Sequence, residues 1–273
     1  MLLRNDRTRQ RDSGTARSLP GKRDAAGTGL HHPRTVTSTG PTALLAAAIR
    51  NNAEWCAAVC RSHGITGTFD DRAWRSPRRT PPYYPDAVTL HSGAAPGDVL
   101  PGIDASPGCS VKDSHATLDL APHGFTELFR ARWIHRAADP AAPATPPLRT
   151  ERVRTADRLR AWQDAWHGGD GVPDVFRPAL LEDPAVLVLA FHDGKGLAGG
   201  AVLNRGAGMV GLSNVFAADG CEAAEVLSSA VAAARSHFPG LPLVGYEHGD
   251  GLGPALEGGF TVLGELRVWL RTG

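Results

Sequence analysis

The densest group of polar side chains in the sequence follows a short apolar run near its end. The run at 242–246 leads directly into Glu247, His248 and Asp250. Glu247 and His248 are both suited to take a proton from an ammonium group, and burial would tune either toward neutrality. Asn214, at the end of another apolar run, has an amide that could orient a substrate carbonyl. The structural alternative is that Glu247 or Asp250 caps the helix that follows and that His248 is solvated.

These side-chain types suit acyl transfer to an amine. The reaction needs a base for the ammonium proton, hydrogen-bond donors for the developing oxyanion and an acid for the leaving thiolate. The polar cluster follows a buried strand, and open α/β sheets commonly place ligands where strands end. We therefore take Glu247, His248 and Asn214 as candidate catalytic residues. Tyr246 is expected to be a core or hydrogen-bonded residue rather than the acid.

A regular alternation of strands and helices is predicted around these residues. A polar strand at 149–155 precedes a helix that carries Leu159, Trp162 and Trp166 on one side. Strands are then predicted at 186–191, 197–204 and 209–216, a long alanine-rich helix at 222–238, a buried strand at 242–246, a short helix at 253–257, and strands at 260–263 and 266–270. This order predicts an α/β fold with a mixed sheet.

Three short segments make this half of the chain resemble the GCN5-related N-acetyltransferase superfamily. Ala198-Gly199-Gly200-Ala201-Val202 is similar to a glycine-containing strand of that family, and Ser213-Asn214-Val215-Phe216 ends the central strand before the long helix. Gly258-Gly259-Phe260 is similar to the glycine–phenylalanine pair after the last helix. The resemblance covers roughly residues 150–271. It implies acetyl-CoA or another acyl-CoA as donor, with its pyrophosphate on backbone amides where the central strand meets the long helix. The matching positions are Val215, Phe216, Ala218, Gly220 and Cys221.

The phosphate-binding turn departs from the family pattern. The family has Arg or Gln, then Gly-x-Gly or Gly-x-Ala, whereas this chain has a single glycine in the segment at 217–222. Asp219, Glu222 and Glu225 also surround the turn. A carboxylate ~6 Å from a phosphate costs ~3 kcal/mol at an effective dielectric of ~20. The alternative is that Asp219 caps the helix and the glutamates face its dipole. The tyrosine that serves as the acid in the family would fall at Ala255, so this chain has no acid at that position.

The first half predicts a smaller lobe, which could be a degenerate copy of the same unit, as in tandem members of the superfamily. A helix is predicted from Pro41 to about His63, with strands at 87–90, 116–120 and 126–135. Between them, the proline-rich stretch at 75–85 is expected to be a surface loop. The predicted organisation is a disordered basic tail at 1–40, an N-terminal α/β lobe at 41–136, an Ala/Pro linker at 137–148 and the acetyltransferase-like domain at 149–273.

Two further groups of residues have both a functional and a structural interpretation. Cys56, Cys60 and His63 share a helix at spacings that would suit metal ligands, but no fourth ligand is near, so we expect core cysteines and no metal site. The polar run at 110–114 could line a cleft between two lobes, and we expect an ordinary turn. Cys221 near a helix start could be reactive, although the neighbouring acids oppose a lowered pKa.

Composition limits the functional classes. The chain has 273 residues, 42% apolar and 21% charged, with a net charge of +1. Residues 1–40 hold eight Lys or Arg and three Asp, so the basic charge is concentrated there, either as an arm for an acidic partner or as a solvated extension. No apolar run approaches the ~20 residues of a membrane span, and no signal peptide is recognisable. We expect a cytoplasmic protein with reduced cysteines and no membrane or nucleic-acid partner.

The sequence thus predicts an acyl-CoA-dependent N-acyltransferase that acts on an amine of a small molecule or peptide. Two alternatives remain. One is a non-catalytic binding protein of the same fold with its donor site lost, since the phosphate turn and Ala255 depart from the family. The other is a tRNA-dependent aminoacyl transferase, which the two-lobe layout and the basic segment would suit; its RNA binding would weaken steeply with salt.

Overall fold

The computed structural model describes residues 40–138, 146–169 and 171–273, together with the backbone of a short strand at residues 3–4. The strands are β1 (Leu3–Arg4), β2 (Thr68–Phe69), β3 (Ala73–Arg75), β4 (Ala87–Thr89), β5 (Ser110–Asp113), β6 (Phe125–Arg136), β7 (Arg149–Arg152), β8 (Val186–His192), β9 (Leu197–Gly206), β10 (Met209–Ala217), β11 (Leu243–Glu247) and β12 (Thr261–Arg271). The α-helices are α1 (Pro41–Ser62), α2 (Pro96–Val99), α3 (Ala156–His167), α4 (Ala223–His237) and α5 (Leu252–Glu257). The fold is α/β with a mixed sheet, as the sequence predicted.

One sheet runs through both halves of the chain. Its order is β2-β3-β4-β5-β12-β6-β11-β10-β9-β8-β7, and β1 pairs with β10 outside this path. The two long central strands are exchanged between the halves. β6, from the first half, lies antiparallel to β11, and β12, from the second half, lies antiparallel to β5. We call β6 and β12 the exchanged strands; they also pair with each other along most of their length.

The two halves of the sheet follow the same plan. In the first half, antiparallel strands lead to the parallel pair β4 and β5, and β12 comes next. In the second half, antiparallel strands lead to the parallel pair β10 and β11, and β6 comes next. The first half is the reduced one, because α2 has four residues where α4 has fifteen. A tandem arrangement would give this topology. The lobe boundaries themselves stay a prediction, and the predicted tail and most of the predicted linker lie outside the described residues.

Helices cover both faces of the sheet. Strand β8 shows this directly, because alternate residues of a strand point to opposite faces. Val186 and Val188 pack in one cluster with α1 and α3, whereas Leu187 and Leu189 pack in another with α4. Leu189 is completely buried, and burying such a side chain contributes ~1.5–3 kcal/mol. A strand buried on both faces explains why the sequence is apolar at successive positions here.

Local signals fix the ends of α3. The hydroxyl of Thr155 accepts a hydrogen bond from the N–H of Arg158 at 3.4 Å, which satisfies one donor of the first turn. Gly168 ends the helix in the left-handed region, with φ of 70°. Between these ends, Trp162 and Trp166 lie on one side of the helix, as the sequence predicted, and both are buried.

Two glycines of β9 are required by close packing. A Cβ on Gly199 would collide with the carbonyl oxygen of Phe216 in β10. A Cβ on Gly200 would collide with the indole nitrogen of Trp162, whose N–H donates to the carbonyl of Leu189 at 2.8 Å. The double glycine thus lets β10 and α3 approach β9 from two directions.

Three sequence predictions of local structure were wrong. No strand forms at 116–120, because Ala116 turns the chain with φ of 54° and the N–H of Leu118 bonds to the side chain of Asp113. The two closing strands are one strand, β12, interrupted only by register shifts. The loop at 75–85 is not simply a surface loop: Thr80 and Tyr84 are buried. Among the described residues, no helix has both the length and the apolar character needed to span a bilayer.

Candidate functional site

Strands β10 and β11 separate after a short paired stretch. They pair in parallel at Val210 with Leu243 and at Gly211 with Val244, and no pairing continues beyond these residues. The rest of β10, through Ala217, therefore has no β11 partner on that side. The donor site predicted from the sequence lies here, at the wedge where the two strands diverge.

A bulge in β10 lies at this wedge. Along the pairing with β9, Ser213 lies opposite Val202 but Phe216 lies opposite Gly200, so β10 has one extra residue. Asn214 occupies the bulge with φ of 51°, a left-handed conformation that non-glycine residues seldom adopt. Such strain costs of order 1 kcal/mol and is concentrated at functional sites. The bulge takes peptide groups of β10 out of the β9 ladder.

The open edge of β10 accepts an extended chain. The backbone of Leu3 pairs in parallel with Val215, and the backbone of Arg4 pairs with Phe216. This is the edge that β11 leaves when the strands separate. An extended group with amide donors and acceptors can therefore hydrogen-bond at this position.

A cavity of about 590 Å³ lies beside the wedge, between the two halves of the chain. Its residues come from α1, the loop after β3, β5 and the turn before it, α3, the exchanged strands, β10 and β11. They are Asn52, Trp55, Cys56, Arg79, Thr80, Pro81, Pro82, Tyr83, Tyr84, Pro85, Asp86, Gly108, Ser110, Lys112, Leu128, Phe129, Trp166, Ser213, Asn214, Val215, Tyr246, Val268 and Leu270. The volume and the mixture of aromatic and polar groups suit a small molecule.

Asn214 and Tyr84 meet on the cavity wall. Nδ2 of Asn214 lies 3.4 Å from the hydroxyl oxygen of Tyr84 and 3.1 Å from that of Ser213. Burial raises the pKa of Tyr84 well above its ordinary value, although hydrogen bonds from Asn214 and Trp55 act in the other direction. Tyr84 is therefore a neutral phenol at physiological pH.

Lys112 reaches the same cavity from β5. Its side chain is almost completely buried, and Nζ donates to Oδ1 of Asn52 at 2.8 Å. The ammonium also lies 4.2 Å from the ring centroid of Tyr246. The polar run at 110–114 is thus not the turn that the sequence favoured, because Ser110–Asp113 form strand β5. The alternative, that the run lines a cleft, holds for Ser110 and Lys112.

The three predicted catalytic residues have different positions. Asn214 lines the cavity. Glu247 is completely buried and does not line it; its carboxylate packs against Gly251, where an added Cβ would lie 3.0 Å from the carboxylate carbon. Tyr246, the preceding residue, points to the cavity face instead, as strand alternation requires. The catalytic roles of all three stay predictions.

His248 lies at the end of β11, half-buried against Phe129, with ring centroids 5.0 Å apart. Burial lowers its pKa, which favours the neutral imidazole. The alternative prediction, that Glu247 or Asp250 caps the helix that follows, was wrong. The N-cap of α5 is Gly251, and no side chain caps the helix. His248 is thus neither fully solvated nor on the cavity wall.

At the predicted phosphate turn, some of the main-chain N–H groups are already hydrogen-bonded within the chain. The N–H of Ala218 donates to Ala198 at 2.9 Å, and that of Cys221 donates to Ala218 at 3.0 Å, so two of the predicted donors are engaged within the chain. Gly220 has φ of 79°. The predicted cap by Asp219 was wrong: the N-cap of α4 is Glu222, and no side chain caps the helix.

The acidic residues at this turn are exposed. Asp219, Glu222 and Glu225 all face solvent, where their repulsion of a phosphate is screened. The ~3 kcal/mol penalty expected from the sequence is therefore an upper value. Val215 and Phe216, the other two predicted donor-site residues, lie on the open edge of β10.

Sequence reasoning missed Tyr84 and Lys112. Tyr84 follows a proline-rich stretch that predicts a loop. Within it, the N–H of Thr80 donates to Oδ1 of Asp86 at 2.9 Å, and the hydroxyl of Thr80 donates to the carbonyl of Tyr84 at 2.6 Å. Lys112 alternates with the buried Val111 in a strand of four residues, too short for a clear pattern. Cys56 and Cys60 are core residues of α1, and burial raises the pKa of Cys60 to about 12.

Comparison with protein-family models and with curated proteins gave no match. Solved structures did match. A GCN5-related N-acetyltransferase from Kribbella flavida superposes with a TM-score of 0.59 at 14% identity, covering 83% of this chain and 96% of that chain. A functionally unknown conserved protein from Staphylococcus epidermidis gives a TM-score of 0.50 at 8% identity, covering 76% of this chain and 93% of that chain.

Nearly the whole of the Kribbella flavida protein superposes on this chain. The matched 83% of this chain must include parts of both halves. At 14% identity the likeness concerns the fold alone. The sequence resemblance at residues 150–271 named the same superfamily. The chain therefore has the fold of the GCN5-related N-acetyltransferases.

Proposed function

We propose that the protein is an acyl-CoA-dependent N-acyltransferase that acts on an amine of a small molecule or peptide. The observation that carries the proposal is the separation of β10 from β11 beside a strained bulge at Asn214. Strands that separate in this way leave main-chain groups available in the middle of a sheet. The cavity at the same place gives an acceptor access to the wedge.

The open edge of β10 fits the donor. The pantetheine arm of an acyl-CoA is extended and carries amide groups, so Val215 and Phe216 can pair with it as they pair with residues 3–4. The arm and β1 would compete for one edge. Near the start of α4, the main-chain N–H groups of Asp219, Gly220 and Glu222 make no main-chain hydrogen bond among the described residues, and they would hold the pyrophosphate. When bound, the donor supplies an acyl group activated as a thioester.

Residues around the wedge can move the protons that the reaction requires. The acceptor nitrogen must lose a proton. His248, kept neutral by burial, or Glu247 is the proposed base; because neither lines the cavity, the proton would pass through a bridging water. As the carbon–nitrogen bond forms and the carbon–sulfur bond breaks, the leaving sulfur must gain a proton. Tyr84 is the proposed acid, since its phenol is neutral and Asn214 holds its oxygen. Ala255, the family's usual position for this group, is a buried core residue.

The test combines donor binding with transfer. Acetyl-CoA and longer acyl-CoAs are titrated calorimetrically, and transfer to a panel of primary amines is followed by release of free thiol. We expect saturable binding, and tighter binding by a chain that starts at Gly40, because that chain lacks β1. Absence of binding at millimolar acetyl-CoA to both chains would remove the proposal.

A non-catalytic binding protein is the second candidate. The engaged amides of Ala218 and Cys221 favour it, because they leave fewer donors for a pyrophosphate. This candidate predicts that ligands bind in the cavity with no thiol release from any acyl-CoA. Thiol release above the rate of spontaneous hydrolysis, dependent on an amine, would exclude it.

A further inference from the structure

The cavity contains a buried cation whose charge nothing in the described part of the chain balances. Lys112 is 3% exposed and lies on the cavity wall. Its ammonium makes one hydrogen bond, to the neutral amide of Asn52, and lies over the ring of Tyr246. An ammonium has three N–H donors, so two have no acceptor among the described residues. No carboxylate there lies within ion-pair distance of it.

The nearby carboxylates are already committed. Asp86 lines the cavity, but its Oδ2 accepts from Arg79 at 3.1 Å and from the N–H of Ser110 at 2.9 Å. Its Oδ1 accepts from the N–H of Thr80 at 2.9 Å. Asp113 follows Lys112 in β5 and, by alternation, points to the other face, where Oδ2 lies 3.2 Å from Arg267.

The charged groups on the cavity wall therefore sum to one excess positive charge. Arg79 and Asp86 neutralise each other, and Lys112 remains. Burial of an ammonium without a partner is unfavourable, and buried charges in proteins are normally paired. An anion bound in the cavity would supply the missing partner. The cavity wall also carries the rings of Trp55, Tyr84 and Tyr246, and the Tyr246 ring lies against the ammonium of Lys112.

We propose that Lys112 is an anion-recognition residue and that the natural acceptor carries a carboxylate beside an aromatic or apolar body. Naming the acceptor class depends on the proposed transferase function, whereas the anion site does not. The ammonium would donate its two remaining N–H groups to the carboxylate, and the rings would enclose the apolar part. The substrate amine would then extend toward Asn214 and the wedge.

The binding test uses two probes of the same shape, phenylacetate and phenylacetamide. The first is an anion and the second is neutral. Calorimetric titration of the full chain should show phenylacetate binding about tenfold or more tightly than phenylacetamide, as a charge-assisted hydrogen bond would give. Equal affinities, or no binding of either at millimolar concentration, would overturn the proposal.

Two variants assign the preference to Lys112. Lys112→Met keeps the length and apolar character of the side chain and should abolish the preference for phenylacetate. Asn52→Asp keeps the lysine but places a carboxylate beside it, and it should abolish the preference as well; it also covers the case in which Lys112→Met does not fold. The exposed Lys195 offers a matched control, Lys195→Met, which should leave the preference unchanged. Retention of the preference in both cavity variants would overturn the proposal.

A transfer assay separates this inference from the proposed function. With acetyl-CoA as donor, phenylalanine should have a KM at least tenfold below that of 2-phenylethylamine, which lacks the carboxylate. Lys112→Met should remove this difference, whereas the control Lys195→Met should keep it. Transfer with equal KM values would overturn the acceptor class but leave the transferase. Anion binding without any transfer would keep the Lys112 site and overturn the transferase.

Discussion

Tyr84 is the residue that we propose as the acid for the leaving thiolate. Its phenol carries a proton at working pH, and burial raises its pKa further. Its hydroxyl is also oriented, since Asn214 lies 3.4 Å away on the strained bulge. An acid needs both properties, a proton at working pH and a fixed direction.

The substitution Tyr84→Phe tests this role. The ring and its packing against Trp55 remain, while the proton donor is lost. We expect kcat for acetyl transfer to fall ~100-fold with KM changed less than threefold, and stability to change by ~1 kcal/mol. Tyr246→Phe serves as the comparison, because that ring lies in the same cavity. A larger loss in Tyr246→Phe than in Tyr84→Phe would assign the acid to Tyr246 instead.

Three half-buried histidines give a pH dependence of stability with a known sign. Burial lowers the pKa values of His115, His135 and His248. The unfolded chain therefore binds protons at a pH where the folded chain does not, and stability is lost as pH falls below ~6.5. The melting temperature should decrease between about pH 7 and pH 5.5, above the range in which carboxyl groups titrate.

Replacement of these three histidines by glutamine should reduce the slope of melting temperature against pH in this range. The same change at the exposed His123 serves as the control and should leave the slope as in the unchanged chain. A slope that is equal in the triple variant and in the control would contradict the assignment.

At the scale of elements, the double glycine of β9 allows two neighbours to approach. Gly200 lies against the indole of Trp162 and the ring of Phe216. Gly200→Ala should cost ~1–3 kcal/mol of unfolding free energy, because the added carbon overpacks the core. Gly194→Ala is the matched control, since an added Cβ there meets no atom within 4 Å. Chemical denaturation measures both, and equal midpoints would contradict the packing argument.

Elements with a strong local pattern were predicted well from the sequence. Helix α1 was expected from Pro41 to about His63 and runs from Pro41 to Ser62. The observed bounds of the helices and strands between Ala156 and Glu247 also lie within a few residues of the predicted bounds. Their apolar periodicity and their caps are local properties. The site was only partly foreseen: Asn214 lies on the cavity and Glu247 does not, because a shift of one residue along a strand changes the face.

The remaining features depend on contacts between distant parts of the chain. Lys112 meets Asn52 sixty residues away, and Asn214 meets Tyr84 across 130 residues. No window of sequence contains both partners. The exchange of β6 and β12 was missed for the same reason, since strand order within a sheet is not encoded in the pattern of either strand.

For the whole molecule, each half lacks the strand that would complete its own part of the sheet. β5 is bounded by β12 from the second half, and β11 is bounded by β6 from the first half. A half produced by itself would expose the long edge of a parallel pair and of an exchanged strand. Such edges invite aggregation.

Fragment complementation follows from this arrangement. The chain divided within residues 139–145 should give two pieces that are each insoluble or unstructured when produced separately. Produced in the same cell, they should associate into a tight one-to-one heterodimer that unfolds in a single transition and copurifies through a tag on either piece. If either piece alone were monomeric and cooperatively folded, the exchanged strands would be dispensable.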